Sequence, residues 1–290
     1  MVPEVDNRAG KSLRTAMLAA LSAVALAWAA ASPAAAAEPK AIDLVALGDS
    51  YSAGVGAGPL QESPLAPGSG CLVAAPGYAE ALDQLPGVGT AVTAACSGAT
   101  SRQVPDQVSA ARQLGVLGKQ TELVTLTAGA NDVHYEGVIA ACALGTVAIC
   151  QAAVDAAVGA ARSNVAPRLA ADYRVVHKAA PRADIAAIGY PHLFADGGAE
   201  GVMSADAAAV LNVGVDELNG IIERAARTSP RTLYVDVADD FEGHEIGSSD
   251  PWINLGSYPA ADGTDFHPTA EGYAEGYAVA VAAEVKSLSR

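Results

Sequence analysis

A serine and a histidine far apart in the chain could together supply a nucleophile and its base. Ser50 ends a Gly-Asp-Ser segment that follows an apolar run, and His267 lies near the C-terminus, where a proline follows it. A serine hydroxyl attacks a carbonyl carbon well only when a base removes its proton. Read alone, Ser50 could equally cap a helix, so the pair indicates ester or amide chemistry only when other segments support it.

Two further segments contain groups that could stabilise a developing oxyanion. Gly98 ends a Cys-Ser-Gly segment, and its missing side chain would let the backbone N–H approach a substrate oxygen. Asn131, in Gly-Ala-Asn-Asp, offers a side-chain amide as a second donor. Taken singly, they are an ordinary loop glycine and an ordinary turn residue. With the backbone N–H of Ser50 they would form an oxyanion hole.

The glycines around Ser50 favour a sharp turn there. Gly48 and Gly54 permit a tight strand-to-helix turn, and we expect a helix to begin at Ser50 and direct backbone N–H groups at an anion.

Of the other histidines, His134 and His192 could lie near the site, whereas His177 and His244 are expected at the surface. The histidines and cysteines lack metal-ligand spacing, so we expect neither a metal nor another cofactor.

Buried strands alternate with longer alanine-rich segments along the chain. The apolar runs predict strands over residues 42–47, 90–95, 123–127, 185–188 and 233–237. Helices are predicted near 78–85, 106–114, 154–177 with an interruption at Pro167, and 205–227, with a last helix after Pro268 running toward 285. This alternation predicts an α/β fold, a three-layer sandwich around a five-stranded parallel sheet.

The candidate segments all fall where such a sheet binds its ligands. Ser50, Gly98 and Asn131 each follow one of the first three predicted strands, and His267 lies between the last strand and the last helix. In open α/β sheets, ligands bind beyond the carboxyl ends of the strands. We therefore expect all four residues at one edge of the sheet.

The four segments, in this order, resemble the SGNH branch of the GDSL hydrolase family, and the second is similar to that of secreted actinomycete esterases and lipases. The resemblance covers the chain after its leader and implies a flavodoxin-like SGNH hydrolase fold over residues 38–290. It implies that Ser50 is the nucleophile, His267 the general base, and Ser50, Gly98 and Asn131 the oxyanion hole. The implied activity is hydrolysis of a carboxylic ester through an acyl-enzyme.

The sequence departs from the family pattern at the third triad position. An aspartate usually stands three residues before the histidine, but that residue is Thr264, with Asp262 and Asp265 nearby. A backbone carbonyl can accept the same hydrogen bond from the imidazole. We therefore expect a Ser50–His267 dyad oriented by a main-chain carbonyl at 264–265, with the carboxylate of Asp262 or Asp265 as the rival third member.

The N-terminus has the order of an export signal. Three basic residues precede an apolar run over residues 16–30, and small residues follow it. We expect residues 1–37 to be a signal peptide of the general secretory type, cleaved after Ala37, and the enzyme to be extracellular. The alternative, an uncleaved anchor, is disfavoured by the short apolar run.

Composition limits the partners. The net charge of −15 disfavours binding to nucleic acid and to anionic membranes. We expect a small-molecule or lipid ester as substrate, no stable membrane insertion, and a monomer.

The four cysteines of an exported chain predict two disulfides. Three pairings exist, of which Cys71–Cys96 with Cys142–Cys150 is the simplest.

The alternatives share the same four residues. A carbohydrate esterase that removes acetyl groups, or a phospholipase, would use the same four residues and differ only in its substrate pockets. A non-catalytic binding protein with a hydrolase fold is an alternative of a different functional class. The alanine-rich stretch over residues 140–161 could cover the cleft as a lid or could be plain surface helix.

Overall fold

The computed structural model describes residues 42–256 and 263–288. The predicted signal peptide and Asp262 lie outside these residues. Within them, no helix is both long enough and apolar enough to cross a membrane.

The centre of the fold is a five-stranded parallel sheet. Its strands are β1 (Ile42–Gly48), β4 (Val88–Thr93), β5 (Leu123–Thr127), β6 (Asp184–Ile188) and β7 (Thr232–Val235), in the order β4-β1-β5-β6-β7. Every residue of β5 is buried, as expected for a strand covered on both faces. Two short strands, β2 (Gln61–Glu62) and β3 (Leu72–Val73), pair antiparallel outside the sheet.

Helices cover both faces of the sheet. One layer contains α1 (Tyr78–Asp83) and the C-terminal helix, which begins as a π-helical segment at Gly272–Tyr277 and continues as α7 (Ala278–Leu288). The other contains α2 (Val104–Gln113), α5 (Ala166–Ala179) and α6 (Ala205–Arg227). The three-layer α/β fold expected from the sequence is therefore confirmed.

A helical hairpin packs outside the second layer. It consists of α3 (Tyr135–Leu144) and α4 (Val147–Ala160), and both helices contact α6. The Thr146 hydroxyl caps α4 by accepting a hydrogen bond from the backbone N–H of Ile149 at 3.4 Å. The Cys142–Cys150 disulfide links the two helices, and the Cys71–Cys96 disulfide links β3 to the loop after β4. The chain thus contains the simplest of the three pairings.

The secondary-structure predictions failed in two places. The helix expected to begin at Ser50 is not formed, because residues 49–56 make successive turns in which Val55 N–H bonds to the Ser50 carbonyl. The helix expected to start at 154 starts at 147, and α3 was not predicted. The α-helix is interrupted close to the predicted place, by a π-helical segment, Ala161–Val165, that ends two residues before Pro167. Pro167 itself lies in the first turn of α5, where its missing N–H is not needed.

Candidate active site

Ser50 and His267 are in direct contact at the carboxyl edge of the sheet. His267 Nε2 lies 2.8 Å from Ser50 Oγ, and both side chains are buried. Burial lowers the pKa of His267 to about 4, although its backbone hydrogen bonds act in the opposite direction. The imidazole is therefore neutral at pH 7, and Nε2 can accept the hydroxyl proton.

The second imidazole nitrogen faces the main chain. His267 Nδ1 lies 2.9 Å from the carbonyl oxygen of Asp265 and donates to it when Nδ1 carries the proton. The Asp265 carboxylate instead accepts a hydrogen bond from the backbone N–H of Gly256 at 2.7 Å. The backbone N–H of His267 bonds to the Thr264 carbonyl at 3.3 Å. The geometry thus gives the orienting contact to a carbonyl within 264–265.

Other parts of the fold hold the loop that carries His267. The Tyr51 hydroxyl donates to the Phe266 carbonyl at 2.5 Å, and Phe266 has a positive φ of 64°, which a bulky residue adopts only when its surroundings enforce it. The Asn254 amide bridges the carbonyls of Gly56 and His267 at 3.1 and 3.0 Å. The nucleophile turn and the histidine loop are therefore tied together on both sides of the dyad.

The end of β1 is fixed by a buried glutamine from α2. Gln107 accepts a hydrogen bond from Gly48 N–H at 2.8 Å and donates to the Gly48 carbonyl at 2.7 Å. Gly48 has φ of 118°, and an added Cβ would lie 1.9 Å from the Thr127 carbonyl oxygen, so only glycine fits. The two hydrogen bonds from Gln107 therefore fix the position of Gly48, where the chain turns just before Ser50.

The predicted oxyanion donors lie on neighbouring loops. Among the described residues, neither the N–H of Ser50 nor that of Gly98 donates a hydrogen bond to a protein acceptor. Gly98 has φ of 74° and is exposed, with open space where a Cβ would stand. The Asn131 side-chain amide donates one hydrogen bond to the Ala99 carbonyl at 2.8 Å, and its second N–H remains available as a donor.

An aspartate joins the two loops that carry these donors. Asp132 accepts hydrogen bonds from the backbone N–H and the hydroxyl of Ser101, at 2.8 and 2.6 Å. Since Ser101 follows Gly98 by three residues and Asp132 follows Asn131 directly, this pair fixes the spacing of the loops. No pattern in the sequence predicts this role for Asp132.

A buried carboxylate lies next to the nucleophile in the chain. Asp49 accepts hydrogen bonds from the Tyr190 hydroxyl at 2.5 Å, the Thr127 hydroxyl at 2.7 Å and Tyr51 N–H at 3.1 Å. Burial raises the pKa of Asp49 to about 6 despite these donors. Tyr190 also accepts a hydrogen bond from Ala130 N–H at 3.4 Å, so it connects the Ser50 turn to the Asn131 turn.

Three residues that support the site were not predicted from the sequence: Tyr190, Gln107 and Asn254. Gln107 lies inside a helix and Asn254 in an irregular loop, and neither position carries a recognisable signal. Tyr190 follows the carboxyl end of β6, so the edge criterion that selected the other residues also applies to it.

An apolar pocket lies beside the dyad. Tyr51 and Ala130 form the wall nearest the site, and the rest comes mainly from the α3–α4 hairpin and from α6. The hairpin contributes Tyr135, Val138, Ile139, Val154, Ala157 and Val158. The pocket is thus lined almost entirely by aliphatic and aromatic side chains.

None of the remaining histidine side chains in the described residues has a hydrogen bond to Ser50, although the backbone N–H of His134 bonds to the Asn131 carbonyl at 3.2 Å. His192 pairs with Asp216 at 2.7 Å, His134 is exposed, His177 contacts Thr232, and His244 stacks on Trp252. In the part of the chain that the structure describes, no cluster of three or more histidine, cysteine or acidic side chains could hold a metal ion.

Comparisons with known proteins agree with this architecture. The "Lipase" of Streptomyces rimosus is 32% identical over 240 residues, which cover 82% of this chain and 85% of that protein. "Lipase 1" of Streptomyces coelicolor is 32% identical over 248 residues, covering 85% and 88%. Among solved structures, phospholipase A1 from Streptomyces albidoflavus NA297 superposes with a TM-score of 0.73 at 32% identity, covering 84% of this chain and 99% of that one. The extracellular lipase from Streptomyces rimosus gives 0.71 at 30% identity, covering 84% and 99%.

The fold and these relatives together identify the class and the family of the protein. The fold and the relatives identify an SGNH-type carboxylic ester hydrolase. A model of the GDSL-like lipase/acylhydrolase family matches residues 46–275, and the chain belongs to that family. The resemblance stated from the sequence is confirmed.

Proposed function

We propose that the protein is an exported serine esterase or lipase that acts through an acyl-enzyme at Ser50. The observation that carries the proposal is the 2.8 Å contact between Ser50 Oγ and His267 Nε2. In the first step Oγ attacks the ester carbonyl carbon and His267 takes the hydroxyl proton. The tetrahedral oxyanion accepts hydrogen bonds from the N–H groups of Ser50 and Gly98 and from the Asn131 amide.

Collapse of this intermediate breaks the bond to the alcohol, which leaves with the proton held by His267. Water then attacks the acyl-enzyme while His267 again acts as base, and the carboxylic acid is released. The Asp265 carbonyl orients the imidazole throughout, because it accepts a hydrogen bond from the Nδ1–H group and thereby favours the tautomer in which Nε2 is the free base that faces Ser50.

The apolar pocket favours substrates with an alkyl acyl chain over acetylated carbohydrate. A pocket lined by aliphatic side chains gains little from an acetyl group and more from each added methylene, at about 0.8 kcal/mol per buried methylene. The solved relatives are consistent with this preference, since one is a phospholipase A1 and another an extracellular lipase. The latter, and the leader-like residues 1–37, also support export.

Kinetics on soluble p-nitrophenyl esters of increasing chain length test both parts of the proposal. We expect Ser50→Ala to abolish turnover in a folded protein and Asn131→Ala to lower kcat about 10²- to 10³-fold. Ala157→Phe narrows the pocket and should lower kcat/KM at least tenfold for an octanoyl ester but less than about threefold for an acetyl ester, by the same area argument. Ala156→Phe, on the exposed side of α4, is the control.

The results separate the candidate functions. Turnover in Ser50→Ala equal to that of the wild type would exclude the mechanism. A wild-type preference for acetyl esters and acetylated xylan, unchanged by Ala157→Phe, would instead favour a carbohydrate esterase.

A further inference from the structure

The turn between α3 and α4 exposes an unusual concentration of apolar side chains. Leu144, Val147 and Ile149 are 82%, 40% and 53% exposed. Every residue of 144–149, the segment we term the apolar tip, is exposed, and none is charged. Of the eight large apolar side chains exposed among the described residues, these three stand within six positions of one another. Exposed apolar side chains that lie this close together in the chain are typical of surfaces that bind a partner or a lipid.

The tip continues a surface that already serves the site. The two helices that it joins line the apolar pocket beside the dyad, through residues such as Ile139 and Val158. Residues 137–154 contain no charged side chain, so the uncharged surface extends from the tip along both helices. The Cys142–Cys150 disulfide fixes the tip where the two helices meet.

We propose that the apolar tip docks the enzyme on the surface of uncharged or zwitterionic lipid aggregates, beside the pocket that receives the acyl chain. Charge selects this occupant. The chain carries a net charge of −15, and the exposed acids Glu136 and Asp155 flank the uncharged stretch. An anionic bilayer would therefore repel the protein, whereas an uncharged surface accepts the three side chains without that cost. The docking is peripheral and reversible, because only a few side chains enter the lipid.

This inference rests on the proposed lipase function, and its test separates the two. Flotation with phosphatidylcholine vesicles measures binding of the Ser50→Ala protein, which leaves the lipid intact. We expect Leu144→Gln, Val147→Thr and Ile149→Thr together to weaken partitioning at least tenfold. Leu114→Gln, a side chain 52% exposed at the end of α2, should change it less than twofold. Vesicles with one-third phosphatidylglycerol should bind the Ser50→Ala protein more weakly than pure phosphatidylcholine.

A second measurement follows turnover with Ser50 present. The triple tip variant should keep the wild-type rate on a soluble butyryl ester, because its three side chains do not line the pocket, and should lose most activity on vesicle lipid. Failure of the wild type to hydrolyse the soluble ester would refute the lipase function and leave the binding result to stand by itself.

Three outcomes would overturn the docking proposal. They are equal vesicle binding by the triple variant and its parent, no vesicle binding by the parent, and a parent that sedimentation shows to be a dimer which the triple variant dissociates. The last outcome would show that the apolar tip binds a second copy of the chain rather than lipid.

Discussion

Replacing Asp265 by asparagine removes a charge near His267 and leaves the main chain in place. The carbonyl that contacts Nδ1 belongs to the backbone of residue 265 and persists in the variant. The asparagine oxygen can also keep the hydrogen bond from Gly256 N–H that the carboxylate accepts at 2.7 Å. Asp265→Asn thus tests whether the carboxylate or the carbonyl supports catalysis.

The expected magnitude follows from what sets the pKa of His267. Burial dominates and lowers that pKa to about 4, and the charge of Asp265 contributes in the raising direction as one of the smaller influences. Loss of this charge should therefore lower the pKa by less than about one unit, or about 1.4 kcal/mol. At pH 7 the imidazole is neutral in both proteins, so kcat should stay within about tenfold of the wild type. Loss of a true triad aspartate costs about 10⁴ in kcat.

Steady-state kinetics between pH 3 and pH 8 would measure both effects, with folding checked at each pH. Since His267 must be neutral to act as base, kcat/KM should fall as the pH drops through about 4. Asp265→Asn should move this acidic limb to slightly lower pH. Glu271→Gln, an exposed acid in the same part of the chain, controls for general loss of charge. A folded Asp265→Asn variant that loses a thousandfold or more in kcat would refute the carbonyl-held dyad, and the same loss in Asp262→Asn would assign the third role to Asp262.

Three further substitutions test the surroundings of the site. Tyr190→Phe removes the 2.5 Å hydrogen bond to Asp49, and we expect the free energy of unfolding to fall by about 1.5–3 kcal/mol and kcat to fall severalfold, measured by urea denaturation and ester kinetics; an unchanged protein would deny this bond a role. Replacing Cys71 and Cys96 by serine opens a 25-residue loop, which loop entropy rates at about 3.5 kcal/mol, and should lower both Tm and kcat because Cys96 lies two residues before Gly98; a lower Tm with full activity would separate the bond from the oxyanion loop. Burial raises the pKa of Asp172 to about 7, so the folded protein holds this proton at a pH where the unfolded chain releases it, and the free energy of unfolding falls as pH rises from about 4 to 7. Asp172→Asn should therefore gain up to about 4 kcal/mol over the wild type as the pH rises from 4 to 8; a constant difference across that range would contradict this.

The sequence predicted those parts of the molecule that depend on short segments. The runs before Ser50 and Asn131 are mostly apolar, without the alternation of polar and apolar residues that marks a strand with one face in water, which is typical of buried parallel strands. The carboxyl-edge rule then brings Ser50, Gly98 and Asn131 together without knowledge of any tertiary contact.

The parts that the sequence missed depend on contacts between distant residues or on a weak pattern. Gln107 reaches Gly48 across 59 positions, and Tyr190 reaches Asp49 across 141. Helix α3 is apolar on nearly all sides, so no alternation of polar and apolar residues marks it. The helix predicted at Ser50 failed because the glycines that permit a tight turn also permit the chain to keep turning, as residues 49–56 do.

Covalent labelling of the resting enzyme with an alkyl organophosphonate, followed by peptide mass spectrometry, tests directly whether Ser50 is the nucleophile. We expect one phosphonyl group per chain, located on Ser50, formed at a rate that falls as His267 is protonated below about pH 4. Ser50→Ala should not be labelled, and the hydroxyl of Ser52, which is buried and bonds to Tyr78 and Thr127, should remain unmodified. A label on any other residue, or an active enzyme that the phosphonate neither labels nor inhibits, would contradict the assignment of Ser50 as the nucleophile.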